Sequence, residues 1–562
     1  MIRLKNSSFK RFVNGVISAV SPSSQPVASV PHAINFLFDK ELDSATRRKG
    51  LTEIGDAVSA TNPILGLHNH RGTNDFALAA ASDGTNNDIY KSIGGDWTKS
   101  LADDTKDLET DFAQFLDTTI RVNGTDQVKS TEDASSWDTA AAPGTGNLDI
   151  GNMPNGTLLQ VYKQRLQVIE GSTVYISSTP LATLAYDGQG ATNFTVGSTL
   201  EGGTSDATGV IFSDTDAGAT GTLELANVSG IFVTNETITD DETGSATSNG
   251  TSDYKISWTS GNKENLQVSP ADGSDIIATG VTGGIEGIEL FLKDNGIYRY
   301  NGSFLDPKPF TSIGCTSKNS IANFNNGIGF ANQDAYWFTN GQGVPIPLTT
   351  PVQDWWDNMA AGHAVAAYSN DKILLISIGD ITKKDTNGKA KTYNNVCLYK
   401  SLTSDNWAIL TFSEEFNHFT KYFDSGNQEI WGGTTIGKVH EVFNGTSDNA
   451  TPIFYELELP QIVGEDIQST KSLSESIGVY GKALKGAKVY ISVDGAKWSD
   501  SLGALEEDIT LLKINKYEGN YFKFKISNYQ TGAPVIIREV VISHIETSGE
   551  SGSISNEQRY GK

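Results

Sequence analysis

Between Gly287 and Gly341 short runs of apolar and β-branched residues alternate with Asn-Gly pairs. Ile288 to Leu292, Ile297 to Tyr300 and Ala335 to Phe338 have the length and composition of strands and are too short for helices. Asn295-Gly296, Asn301-Gly302, Asn326-Gly327 and Asn340-Gly341 punctuate the segment. Each suits a type I′ hairpin turn, because Asn and Gly reach positive φ at little cost. The same punctuation recurs at Asn123-Gly124, Asn155-Gly156, Asn444-Gly445, Asp83-Gly84, Asp187-Gly188 and Asp494-Gly495. The pattern predicts antiparallel, blade-like sheets along most of the chain.

Several runs can be laid on one another as blades. One reads from Ile64 through Ile89-Tyr90 to Trp97, a second from Phe112 through Asn123-Gly124 to Trp137, and a third from Leu158 through Arg165 to Ile176. Others follow at Ile288 to Asn301, Ile328 to Phe338, Val365 to Trp407 and Phe419 to Phe443. A spacing of roughly 40 to 50 residues, with an aromatic residue near the last strand, is that of four-stranded propeller blades. The expected fold is all-β, a β-propeller of about seven blades, in two parts at residues 61–182 and 253–451.

Residues 183–252 differ: Gly, Thr, Ser, Ala and Asp dominate, with almost no Lys or Arg. They hold a duplication in which Phe194 matches Phe232, Thr199 matches Thr237, and Ala207-Thr208 matches Ala246-Thr247. Neither copy could bury much alone, so the pair is expected to form a small β-domain inserted in a propeller loop. Beyond residue 452 the runs Ile477–Tyr480, Lys488–Ser492, Tyr521–Ile526 and Val535–Ile545 alternate apolar with polar residues, which predicts a β-sandwich over 452–547. Residues 1–60 read as an N-terminal arm with the first strands. Residues 548–562, rich in Ser, Gly, Glu and Asn, read as a flexible tail.

Composition narrows the function. Of 562 residues 37% are hydrophobic, with 57 Gly, 24 Phe, 19 Tyr and 9 Trp, which suits a globular all-β chain of more than one domain. A net charge of −25 opposes any grip on nucleic acid through phosphate neutralisation. Cys315 and Cys397 lack the number and spacing of a disulfide framework or zinc site and read as small buried residues. Asn14 and Gly15 interrupt the apolar run near the N-terminus, against a signal peptide, and no run approaches the ~18 apolar residues of a membrane span. The expectation is a soluble protein, made in a reducing cytoplasm, with no membrane insertion.

Candidate chemistry is sparse. His68 and His70 would share one face of a strand, but with no third ligand evident they read as a surface or loop pair. Ser492 to Trp498 resembles the Asp-box hairpin of sialidases, yet Gly495 follows Asp494 directly, and the element reads as a turn with a packed Trp. The acidic groups Asp103-Asp104, Asp240-Asp241-Glu242 and Glu506-Glu507-Asp508 read as solvated loops, not a glycosidase dyad. Nucleophile-elbow, phosphate-loop and zinc-helix motifs are absent. No catalytic, cofactor-binding or metal residue is assigned, no cofactor is expected, and the partner-binding residues stay open.

Phe12 to Ser18, Ala33-Ile-Asn35-Phe-Leu-Phe-Asp39 and Arg47-Arg48-Lys49-Gly50 to Gly55 resemble the opening of the β-propeller tail proteins of short-tailed bacteriophages, called tail nozzle, tail hub or head-completion proteins. Gln160 to Ser177, Leu290 to Ser303 and Ile313-Gly-Cys315 to Trp356 are similar to blades of that family. The likeness covers residues 10 to about 545 apart from the insert, through loose hydrophobic and turn patterns. It implies a virion protein made in the host cytoplasm. It also implies a ring of the chain with itself, commonly a hexamer, below the portal and its adaptor proteins, with DNA passing through the lumen unbound. The family supplies no catalytic residues. The insert departs from it, and tail fibres or other tail proteins are further partners to consider. The rival expectation is a propeller that binds or cleaves carbohydrate on the host surface, prompted by the nine Trp, the many Asp and the sandwich domain.

Overall fold

The computed structural model describes residues 2–10, 12–20, 24–26, 28–41, 43–59, 61–139, 148–258, 264–283, 287–384, 389–424, 426–463, 470–506, 508–514 and 517–547. The flexible tail expected at 548–562 lies outside them. Two compact units emerge, one of residues 55–314 and one of residues 1–54 with 315–562.

The fold is all-β and of the β-propeller class, built from seven blade sheets with an inserted β-domain and a C-terminal sandwich. The unit 55–314 holds four blades. The first is Ile64–His70, Phe76–Ser82, Asn86–Ser92 and Thr98–Thr105, each strand antiparallel to the next. The second runs from Asp111–Phe115 to Asp138–Thr139. The third joins Leu158–Tyr162, Arg165–Glu170 and Thr173–Ile176 to Glu264–Gln267. The fourth has Ala278–Thr282, Ile288–Lys293 and Gly296–Tyr300, with a bridge from Ile297 to Thr311 beginning a fourth strand. Inner strands such as Phe76–Ser82 and Thr118–Val122 are buried on both faces, because successive blades pack face to face. Phe76 and Leu78 of the first blade share a cluster with Phe112 and Ala134 of the second, and Leu158 and Ile169 of the third share one with Phe291 and Tyr298 of the fourth.

The insert sits between the third and fourth strands of the third blade. Its sheet takes in Leu181–Asp187 and Asp253–Lys255 as well as the duplicated segment, so the blade resumes at Glu264 and not at residue 253. The duplication is structural. Thr199–Gly202 and Thr237–Asp240 have the same exposed-buried alternation and pair antiparallel with each other, each followed by a strand that folds back on it. Phe194, Leu200 and Ala207 from one copy and Phe232, Ile238 and Ala246 from the other fill one small core.

The other unit holds three blades, beginning at Ala322–Phe324, Ala366–Ser369 and Phe416–Asp424. The last blade takes its fourth strand, Leu51–Glu53, from the N-terminal segment, which pairs with Val439–Val442. The N-terminal residues therefore do not form an arm. Ile2–Lys10 and Ser44–Arg47 pair with Ile536–Thr547 in one sandwich sheet, and His32–Ile34 pairs with Ile453–Glu458 in the other. Ile34 also bridges to Ile409, so the second sandwich sheet is continuous with the blade that ends at Trp407–Thr411. A single hydrophobic core runs from Ile376 and Ile409 through Tyr455 and Leu457 to Ile491, Phe524 and Ile542.

The turns depart from expectation. Only Asp494-Gly495 among the named pairs has positive φ at both residues, the type I′ signature. Asn295-Gly296 and Asn326-Gly327 are shifted by one: Lys293 pairs with Gly296 and Phe324 with Gly327, so each Gly opens a strand. Gly327 is needed there because a Cβ would lie 2.3 Å from the Thr339 carbonyl oxygen. A two-residue turn with positive φ at both positions forms instead at Lys163-Gln164.

Candidate functional site

Two polar centres stand out, both in the unit of residues 1–54 and 315–562. The first is a buried joint made by residues of the N-terminal segment. Asn35 takes a left-handed backbone conformation, φ 62°, which aims its amide at Thr411 and Phe454. Its Nδ2 donates to Thr411 Oγ1 at 2.8 Å and to the Phe454 carbonyl at 2.7 Å. Its Oδ1 accepts from Thr411 N and from Arg48 Nε, both at 2.8 Å. Arg48 then forks onto Asp448 through two bonds of 2.7 and 2.6 Å, donates to the carbonyls of Lys49 and Thr411, and lies 4.0 Å over the Phe412 ring. Arg47 donates to the carbonyls of Thr446 and Gly532. Gly50 lets the backbone pass: a Cβ would stand 1.8 Å from the Ser447 oxygen. Asn35, Arg47 and Arg48 are each 1% exposed, so this centre has no room for a substrate and acts as a fastener.

The second centre opens to solvent through a cleft of about 290 Å³ lined by His32, Asp354, Lys383, Tyr393, Glu458 and Lys523, among others. The period of two along Ile453–Glu458 puts the Glu456 and Glu458 side chains on one face, and His32 is the cross-strand partner of Glu458. His32 Nε2 lies 3.0 Å from Glu456 Oε1, and Lys391 and Lys525 reach the two Glu456 oxygens at 3.2 and 3.3 Å. Burial alone would raise the Glu456 carboxyl, but the His32 hydrogen bond and the charges of His32, Lys391 and Lys525 hold it well below the usual range. Burial pushes the Glu458 carboxyl up. The His32 ring stacks on Trp355, and Lys383 sits over the same indole while pairing with Asp354.

The residues singled out from sequence fall elsewhere. His68 and His70 are not a surface or loop pair. They lie in the strand Ile64–His70, half-buried and buried, and Thr119 Oγ1 joins them, 2.8 Å from His70 Nδ1 and 3.3 Å from His68 Nε2. Stacking on Phe112 and Phe76 completes a structural role, and burial holds both imidazoles low. Asp104 is not in a solvated loop: it lies in the strand Thr98–Thr105, paired with buried Arg121 and with Lys129. Asp240 is also buried, accepting from the backbone of Thr195 and Gly244. Glu506 and Asp508 are exposed, as expected of a solvated loop; Glu507 lies outside the described residues. The Asp494-Gly495 turn carries Trp498 half-buried beneath Lys525, with Asp494 accepting from Asn520 N and Tyr521 N. Cys315 and Cys397 are free and buried, and desolvation raises both thiols, Cys397 to about 12.

Neither polar centre is a contiguous motif. Asn35 and Asp448, or His32 and Glu456, are over 400 residues apart by sequence number, and only the Glu-Leu-Glu alternation at 456–458 signals the second locally.

No protein-family model and no curated protein sequence matches the chain. Among solved structures, BBS1N in complex with ARL6DN is similar at 10% identity, over 71% of this chain and 99% of that one, with a TM-score of 0.36. YCF48 from Cyanidioschyzon merolae is similar at 10% identity over 70% and 98%, TM-score 0.35, and the computationally designed Ika8 protein at 11% over 69% and 100%, TM-score 0.32. The assignment to the propeller class rests on the sheets themselves.

Proposed function

We propose that the chain is a structural protein of a bacteriophage tail, of the nozzle or hub kind. It forms a ring below the portal and adaptor through which the genome leaves. The observation that carries this reading is the buried joint. Residues of the phage-like opening, Asn35, Arg47, Arg48 and Gly50, converge there on a fastener between N-terminal segment, blade and sandwich, which gives that segment an architectural role. The acidic balance agrees, since a lumen without basic walls lets DNA slide. Less favours the carbohydrate reading, since Trp258, Trp355, Trp356, Trp407 and Trp431 are buried and so withdrawn from any surface on which a sugar could stack. Symmetry-averaged electron cryomicroscopy of particles that contain the chain tests the proposal. A ring of six copies on the tail axis is expected; a single copy, or turnover of a surface glycan abolished by one Asp or Glu substitution, would overturn it.

A further inference from the structure

We propose that His32, Glu456 and Glu458 form a binding site for a divalent transition-metal cation, Zn²⁺ being the ion whose geometry they suit. This inference is independent of the tail-protein reading.

Three features carry it. One imidazole nitrogen and two carboxylate oxygens offer ligand atoms that all lie within 4.8 Å of one another. His32 Nε2 and Glu456 Oε1 are 3.0 Å apart, close to the roughly 3.3 Å between two ligands of a tetrahedral ion with bonds of about 2 Å. Glu458 is the decisive feature. It is 4% exposed, it lines the cleft beside His32, and among the described residues it makes no hydrogen bond or ion pair, so its carboxylate can turn to an ion entering from the cleft without giving up a bond.

The lysines around the site do not exclude the ion. A carboxylate has about four lone-pair positions, so Glu456 can keep Lys391 and Lys525 and turn one of them to the metal in place of the His32 bond. Lys391 and Lys525 then act as outer partners that fix the carboxylate, and Trp355 and Tyr393 hold the His32 ring in place. A rotation of the Glu458 side chain brings its oxygen to the ion, and the fourth position faces the cleft. Because His32 lies on a strand tied to a blade and the two Glu lie on the sandwich strand beside it, the ion would clamp that junction.

The test uses the full chain, stripped with chelator and titrated with ZnCl₂ alone by calorimetry, with thermal unfolding followed in parallel. Glu458→Gln should fold as the parent does, because the amide has the size and shape of the carboxyl and breaks no hydrogen bond; His32→Gln is the second variant. One Zn²⁺ per chain is expected, with a rise in Tm on binding and affinity at least tenfold weaker in each variant. In the Co²⁺-loaded parent, a visible ligand-field band should disappear in His32→Gln. No stoichiometric binding, or binding that survives unchanged in either variant, would overturn the site.

Discussion

Arg48 and Asp448 meet in a two-bond fork of 2.7 and 2.6 Å across 400 residues of sequence. The Arg48 side chain is fully buried and that of Asp448 nearly so. Removing one partner would leave the other charge buried and unmatched, which typically costs about 3–5 kcal/mol. Asp448→Ala should therefore lower the unfolding free energy of the unit containing residues 1–54 by an amount of that order, and the urea midpoint with it. An urea midpoint unchanged within error would show that the fork contributes nothing net.

Glu289 is buried in the fourth blade of residues 55–314, with one oxygen accepting from Gln167 and the other without a partner. Desolvation raises its carboxyl from 4.5 to about 8. The folded state thus holds a proton that the unfolded state has released between these values. Stability contributed by the neutral carboxyl is full below about pH 4.5 and declines as pH rises toward 8, by about 1.4 kcal/mol per pH unit. Glu289→Gln should flatten this decline and be more stable than the parent at pH 8. Parallel stability curves for parent and variant from pH 5 to 8 would contradict it.

The insert should be removable. Leu181, Ala182 and Thr183 pair with Lys255, Tyr254 and Asp253, so the chain enters and leaves side by side, and the insert core is its own. Replacing residues 184–252 with a short Asn-Gly turn should leave a β-rich circular dichroism spectrum and cooperative unfolding, because Ile256 and Trp258, which belong to a blade core, are kept. Loss of cooperativity would show that the insert supports the blades.

If the chain forms a ring, its charge of −25 per subunit opposes closure at low salt. The purified chain should scatter light as a monomer, and assemble on addition of its adaptor partner. A ring formed by the isolated chain in low salt would contradict the argument for a template.

The blades were legible because strand length and turn residues are local properties. The runs beginning at Ile64, Phe112, Leu158, Ile288, Ile328, Val365 and Phe419 each became a blade sheet, and the duplicated Phe194 and Phe232 segments became paired copies in one small domain. Turn type was less legible. Gly296 and Gly327 are required by a neighbouring carbonyl oxygen, and not by a positive φ at the turn.

What the sequence determined by itself is what repeats every two residues or every blade: strands, buried faces, the insert and the acidic balance. What only the tertiary structure decided is which distant polar groups share a buried place. Asp104 reads as one more acid until Arg121 is beside it, and nothing in the sequence beyond their alternation singles out Glu456 and Glu458 until His32, on a strand from the far end of the chain, lies opposite. The physical reason is that burial and pairing belong to the space around a side chain. A carboxylate that water would solvate in one setting must find a partner in the other.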